Sequence, residues 1–404
     1  MDTVSIANIT DARELLSGVV RCTPMEPLRV LSELTGGQVH LKCENLQRTG
    51  SFKIRGAYVR IHRLSDAERA AGVVAASAGN HAQGVALAAS LLGARSTVFM
   101  PERAPLPKLA ATRGYGAQVR LHGVLLEQTL AEAVRYAEET GAVFLHPFEH
   151  PDIIAGQGTL GLEILEQVPQ AATVVLPAGG GGLLGGVAAA IKATRPDVRV
   201  VGVQAELAAA LPQSLAAGTP VRLESTRTMA DGIAVGSPGA LTLHHAVSLV
   251  DEVVTVSEEA LSRAVLLCLE RAKLVVEPAG AAAVAALLEY PERFAAPVVA
   301  VLSGGNVDPL LLLQIIRHGM TSAGRYLALT LRLDDQPGAL ARLLNLLGTL
   351  GANVLDVEHS RIGGALALGE VEVAVTLETR GEEHCERLVD ALKEAGYTVG
   401  AGSA

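Results

Sequence analysis

The chain has 404 residues, 49% of them hydrophobic, with 42 glycines, 3% aromatics and no tryptophan. That is enough for two or three domains with aliphatic cores joined by many tight turns. A formal net charge of −9 argues against a nucleic-acid or anionic-membrane surface.

The N-terminal stretch MDTVSIANITDARELL carries an early Asp and lacks a basic segment followed by an apolar core, so it does not read as a secretory signal. Cys22, Cys43, Cys268 and Cys385 are far apart in sequence, with no C-x-x-C, which fits a reduced cytoplasmic setting. From Val39 to about Val301, short apolar runs alternate with helical patterns. VVAAS (73–77) predicts a buried strand and HAQGVALAASLLG a helix after it. STVFMP (96–101) and QVRLHG (118–123) predict strands, as do TVVLPA and VRVVGVQAE on either side of a helix at 183–194. APVVAVLSGG (296–305) predicts another. Strands that are apolar throughout and separated by helices signal a parallel sheet covered on both faces, hence a doubly wound α/β architecture. The uncharged run Thr173–Ile191 is long enough for a membrane span, but its Pro and Gly residues fit a strand, loop and helix in a core.

The pattern changes near Arg317–Gly324. RYLALTLRL alternates as a strand, and DDQPGALARLLNLLGTLG predicts a helix begun by Pro337 and ended by Gly351. Two alternating strands, ANVLDVEHSR and LALGEVEVAVTLETR, an amphipathic helix and the short strand YTVGA complete the tail. The order βαββαβ predicts a separate ferredoxin-like module.

In the stretch ENLQRTGSFKIRGA, Lys53 stands between Phe52 and Ile54, with glycines close by. Most lysines keep their ammonium in water. A lysine held in apolar surroundings has a lowered pKa and can act as an amine nucleophile. Two glycine loops follow apolar strands: Ser77, Ala78, Gly79, Asn80 and His81 in one, and Gly179, Gly180, Gly181 and Gly182 in the other. A glycine loop opening a helix offers free N–H groups and the positive dipole end to an anion, although glycines also simply permit tight turns. Four in succession carry a large entropy cost, which favours phosphate binding at the second loop; the first is open to either reading. Neither is followed by G-K-[ST], so neither is a nucleotide P-loop. GQGTLG (156–161) matches a dinucleotide fingerprint but follows a proline-containing segment that makes a poor strand. HPFEH (146–150) matches a zinc-protease order, but Pro147 and Pro151 deny it the helix that order needs. Ser303, in VLSGGNVD, is either a turn serine or a small hydroxyl at the carboxyl end of a sheet strand.

LKCENLQRTGSFKIRGA, SAGNHAQGVA, IAGQGTLGLEI, PAGGGGLLGG and LSGGNVD occur together in the order seen in threonine dehydratases, and roughly residues 1–320 resemble that family. The resemblance implies the tryptophan-synthase-β-like fold, with a small lobe at about 50–140, and pyridoxal 5'-phosphate as cofactor. It implies that Lys53 bonds the cofactor and that Asn80 faces its ring oxygen. Gly179–Gly182 would hold its phosphate, Ser303 its pyridine nitrogen, and Ser77–His81 the substrate carboxylate. The activity implied is conversion of L-threonine to 2-oxobutanoate and ammonia, and of L-serine to pyruvate. Residues 325–404 resemble an ACT domain, in the single-domain arrangement, implying an amino-acid effector at Gly338, Ala339, Leu340 and Asn353. A branched-chain amino acid, isoleucine or valine, is the expected effector, and a homodimer or homotetramer the expected assembly.

Two positions depart from the related serine racemases. Ala78 replaces the serine that donates a proton to the opposite face, which argues against racemisation. Glu206 is retained from their divalent-metal site, but Pro212 stands at its Asp position, so no divalent metal is expected, and a monovalent ion is left open. A serine racemase-like enzyme, and an inert amino-acid sensor, are the alternative readings.

Overall fold

The computed structural model describes residues 2–361 and 366–401, which form two compact units, Met1–Leu312 and Leu313–Ala404. The larger unit holds ten strands among the described residues: β1 (Met25–Pro27), β2 (Val39–Cys43), β3 (Val73–Ala76), β4 (Ser96–Met100), β5 (Gln118–Leu121), β6 (Val143–Phe144), β7 (Thr173–Pro177), β8 (Arg199–Ala205), β9 (Glu252–Val256) and β10 (Val298–Leu302). They make two sheets, in the orders β1-β2-β10-β7-β8-β9 and β5-β4-β3-β6. Every pairing is parallel except β1 on β2. β3, β4, β7 and β10 are buried along their whole length, as their unbroken apolar runs require. The run Thr173–Ile191 is β7, a loop and most of the helix Gly182–Thr194; among the described residues no helix is long and apolar enough to cross a membrane.

GQGTLG lies inside the helix Pro151–Gln167. Its glycines are packing sites. A Cβ on Gly156 would fall 2.6 Å from Gly56 Cα, in the helix Lys53–His62, and one on Gly158 would fall 2.8 Å from Gly186 O. The backbones of three helices therefore approach more closely than any side chain allows. HPFEH is not helical: His146 Nδ1 accepts from Glu149 N, and His150 caps the helix that begins at Pro151.

In the smaller unit the strands are β11 (Tyr326–Asp334), β12 (Asn353–Ser360), β13 (Glu370–Glu378) and β14 (Thr398–Ala401). They form an antiparallel sheet in the order β12-β13-β11-β14, with the helices Ala339–Thr349 and Glu382–Glu394 completing a βαββαβ module. Buried and partly exposed residues alternate along β13, and Leu331, Leu343, Val373 and Leu388 meet in the core. The first helix starts at Ala339, not at Pro337. Gly338, with φ of 88°, is its N-cap, so the left-handed turn and not the proline sets the boundary. The change of pattern near Arg317–Gly324 falls largely within a helix, Pro309–Ser322, that runs across the division between the units.

Candidate active site

Three loops leave the carboxyl ends of parallel strands and converge. β3 ends at Ala76, and Ser77–Gly79 lead into the helix Asn80–Leu91. β7 ends at Pro177, and Ala178–Gly181 lead into Gly182–Thr194. β10 ends at Leu302, directly before Ser303. These loops and Lys53 line one cavity of about 270 Å3, the place where α/β folds take ligands. Lys53, Ser77, Ala78, Gly79, Asn80, His81, Gly179, Gly180, Gly181, Gly182 and Ser303 all face it.

Lys53 opens its helix, and its Nζ donates to Pro147 O at 3.3 Å. Burial pushes its pKa down from 10.5 to about 8, with Glu277 partly opposing. Near pH 7 roughly a tenth of such an amine is neutral, some hundreds of times more than for an ordinary lysine.

The glycine loop is a cradle with no room for side chains. A Cβ on Gly180 would lie 2.2 Å from the Phe148 ring, and one on Gly182 2.9 Å from Phe148 Cβ. Gly181 has φ of 93° and caps the next helix without a side-chain hydrogen bond. Gly79 caps Asn80–Leu91 in the same bare way. Both helices therefore present first-turn N–H groups and the positive dipole end, the natural partners of a phosphate and a carboxylate. Together with a low-pKa lysine, this set of groups fits pyridoxal phosphate.

His81 lines the cavity, but its ring is turned to Leu145 O, at 2.9 Å. Burial and the nearby charge of Lys53 push its pKa down to about 3, so it stays neutral and anchors the loop. Ser303 is 4% exposed, and its carbonyl accepts from Phe52 N at 3.2 Å, tying β10 to the lysine segment.

Sequence reasoning missed several groups. Glu277 stands in the cavity wall with its carboxylate on Asn80 Nδ2 at 2.6 Å. Burial and Asp231 push its pKa up to about 7, against the pull of Lys108, Asn80 and Lys53. In sequence it resembles an ordinary residue before a Pro-started helix, yet it makes no cap hydrogen bond. Lys108 pairs with Asp231 at 2.5 Å, and both line the cavity. Two residues after Lys53, Arg55 belongs to a buried charge network. Arg55, 0% exposed, forks onto Glu44 at 2.8 and 2.9 Å and reaches Glu163 at 2.7 Å; Lys42 reaches Glu163 at 2.7 Å. Glu44 and Arg55 both belong to the lysine motif quoted above. The segment itself does not single out their pairing, because it also carries Arg48 and Lys53.

The family model described as pyridoxal-phosphate dependent enzyme matches residues 16–304, and the ACT domain model matches residues 328–396. The chain belongs to the pyridoxal-phosphate dependent enzymes. Among relatives, it is 48% identical to the L-threonine ammonia-lyase of Thermotoga maritima over 396 residues, covering 98% of this chain and 99% of that one. Among solved structures, it is similar to a T.th. threonine deaminase, at 43% identity and a TM-score of 0.72 over 75% of this chain and 99% of that one. It is also similar to maize serine racemase, at 37% identity and a TM-score of 0.74 over 80% and 99%. This pyridoxal-phosphate dependent enzyme thus has a catalytic unit of fold type II and a C-terminal ACT domain.

In the ACT domain, Gly338, Ala339 and Leu340 line a hollow with Asp335, His359 and Arg361. Asn353 is not among that lining. It begins β12, beside Glu378 of β13, and donates to Glu378 Oε2 at 3.1 Å, whereas the hollow lies at the Asp334–Glu370 end of the sheet. Glu206 is exposed, and Pro212 lies in the helix Ala210–Ala217.

Proposed function

We infer that this chain is a threonine ammonia-lyase, deaminating L-threonine to 2-oxobutanoate and ammonia and acting on L-serine to give pyruvate. The observation that carries the reading is its near full-length likeness to the Thermotoga maritima enzyme, through both the catalytic unit and the ACT domain. The low-pKa lysine opposite the glycine cradle supports it independently.

Bound pyridoxal phosphate supplies the sink for the charge left at Cα when its proton departs. Gly179–Gly182 would hold the phosphate through backbone N–H groups at the helix start. Asn80 would meet the ring oxygen, and the Ser303 hydroxyl would be the partner of the pyridine nitrogen. Ser77–His81 would hold the substrate carboxylate at the start of the helix Asn80–Leu91. Lys53 would hold the cofactor through its amine and, once free and neutral, would serve as the base for the Cα proton. A hydroxyl partner at Ser303, unlike a carboxylate, would not hold a full proton on the pyridine nitrogen. That favours loss of the β-hydroxyl over reprotonation.

Serine racemisation is the second reading, favoured by the likeness to maize serine racemase and opposed by Ala78, which has no proton to give. The ACT hollow at Gly338–Leu340 would take a branched-chain amino acid and regulate the catalytic unit. Asn353 would serve an effector only from a different part of the sheet. A homodimer or homotetramer in the cytoplasm, serving either isoleucine synthesis or threonine breakdown, completes the reading. Assays of keto-acid release from L-threonine, L-serine and D-serine, and of D-serine formation from L-serine, test it. Threonine deamination with a visible cofactor absorbance is expected. Racemisation without deamination would replace this reading by the second.

A further inference from the structure

Asn80 is held at both ends of its amide. Asn306 Nδ2 donates to Thr49 O at 2.6 Å and to Asn80 Oδ1 at 2.7 Å. A carbonyl only accepts, so Asn306 must present its amino group on this side, and Asn80 must answer with its oxygen. The amino group of Asn80 is thereby turned the other way, onto Glu277 Oε1 at 2.6 Å. That amino group has two hydrogens, and Glu277 takes one. The other is left for the cavity, which Asn80, Glu277 and Ser303 line together.

The contact is built into the backbone. A Cβ on Gly304 would lie 2.4 Å from Glu277 Oε1 and 3.0 Å from Asn80 Nδ2, so the residue after Ser303 cannot carry a side chain without breaking it. Glu277 is 2% exposed and donates its own N–H to Gly304 O at 3.1 Å. Burying a carboxylate is costly, and a helix N-cap position alone does not require one here, since Glu277 makes no cap bond.

We propose that Glu277 is a positioning residue which, by accepting from Asn80, aims the remaining Asn80 N–H at the cofactor's ring oxygen and so sets cofactor affinity. The charged groups around it are Lys53 at the start of its own helix, Lys108 on the helix Leu106–Gly114 and Asp231 on the turn Asp231–Ile233; burial raises its pKa first, and these charges act on top of that. Its action on Asn80 needs only an acceptor oxygen. A glutamine supplies that oxygen, whereas an alanine does not.

The inference rests on the assignment of this cavity to pyridoxal phosphate. The test resolves the full-length protein from its cofactor and titrates pyridoxal phosphate back, reading the dissociation constant from visible absorbance, without reference to turnover. Glu277→Ala should weaken binding about tenfold, with Glu277→Gln staying within about threefold of the parent. Asn80→Ala should weaken it to a similar extent, and the double variant Asn80→Ala/Glu277→Ala should be no weaker than Asn80→Ala by more than about threefold. Asn306→Ala, which leaves Glu277 intact and releases the other end of the amide, should also weaken binding. Should Glu277→Ala fail to fold, Asn306→Ala and Glu277→Gln decide. Unchanged affinity in Asn306→Ala, equal loss in the Gln and Ala variants, or additive losses in the double variant would overturn the proposal. A parent protein that binds the cofactor but releases no keto acid from threonine would remove the proposed reaction and leave this inference standing. One that binds no pyridoxal phosphate would remove both.

Discussion

Arg55→Met removes the guanidinium from the buried charge network and leaves the rest in place. Arg55 and Glu44 are both 0% exposed, and Lys42 and Glu163 are also buried. The intact set balances two cations against two carboxylates. After the substitution, Lys42 remains 2.7 Å from Glu163, while Glu44 keeps the Thr23 hydroxyl, also at 2.7 Å, and the weaker field of Lys42. An uncompensated buried carboxylate costs about 3–5 kcal/mol. For a unit of this size that lowers the melting temperature by roughly 6–15 °C. The pH dependence distinguishes this cause from lost packing. In the parent, burial opposes the charge of Glu44 but Arg55 outweighs it, holding the carboxyl below 4.5. Its contribution is therefore fully present above the ordinary carboxylate range and is lost only on acidification. In the variant, burial acts on Glu44 with little opposition and raises its pKa, so stability falls as pH rises through that raised value. The deficit should be larger at about pH 8 than at about pH 5.5, and Glu44→Gln should recover at least about half of it. Thermal unfolding followed by circular dichroism at the two pH values measures this. A deficit under about 1 kcal/mol, or one independent of pH, would refute the reasoning.

Lys53→Ala should abolish both threonine turnover and the cofactor's visible absorbance; Lys53→Arg should restore neither, because guanidinium never becomes a neutral nucleophile. Substantial deamination by either variant would remove Lys53 from the mechanism. Ser303→Ala should weaken cofactor binding by about 1–3 kcal/mol and lower the rate while the far-ultraviolet spectrum is kept; unchanged affinity and rate would make it a turn serine only. Gly181→Ala forces a φ of 93° on alanine and places a Cβ 2.9 Å from Thr242 Cβ, so a strain of about 1–2 kcal/mol should appear as looser cofactor binding, read by titration. Truncation after Gly324 should leave an active enzyme that no longer responds to isoleucine or valine; identical responses in the truncated and full-length proteins would make the ACT domain an assembly module.

The location of the candidate site was legible wherever it depends on short-range pattern. Lys53, the two glycine loops and Ser303 each sit at a turn between an apolar run and a helix, and such turns are written in a few consecutive residues. The tail's alternation of apolar positions announced its βαββαβ order for the same reason. What only the tertiary structure decided involves partners far apart in the chain. Glu277 meets Asn80 across 197 residues, Asn306 meets Thr49 across 257, and Arg55 meets Glu163 across 108. No local periodicity encodes such pairs, because each residue alone looks like a cap, a turn or a surface charge. GQGTLG shows the same in reverse. Its glycines match a loop motif, yet they are helical because Gly156 and Gly158 face Gly56 and Gly186, and close backbone contact between helices demands glycine as strictly as a phosphate loop does. A single sequence contains both demands in the same letters, and only the packing of three helices separates them.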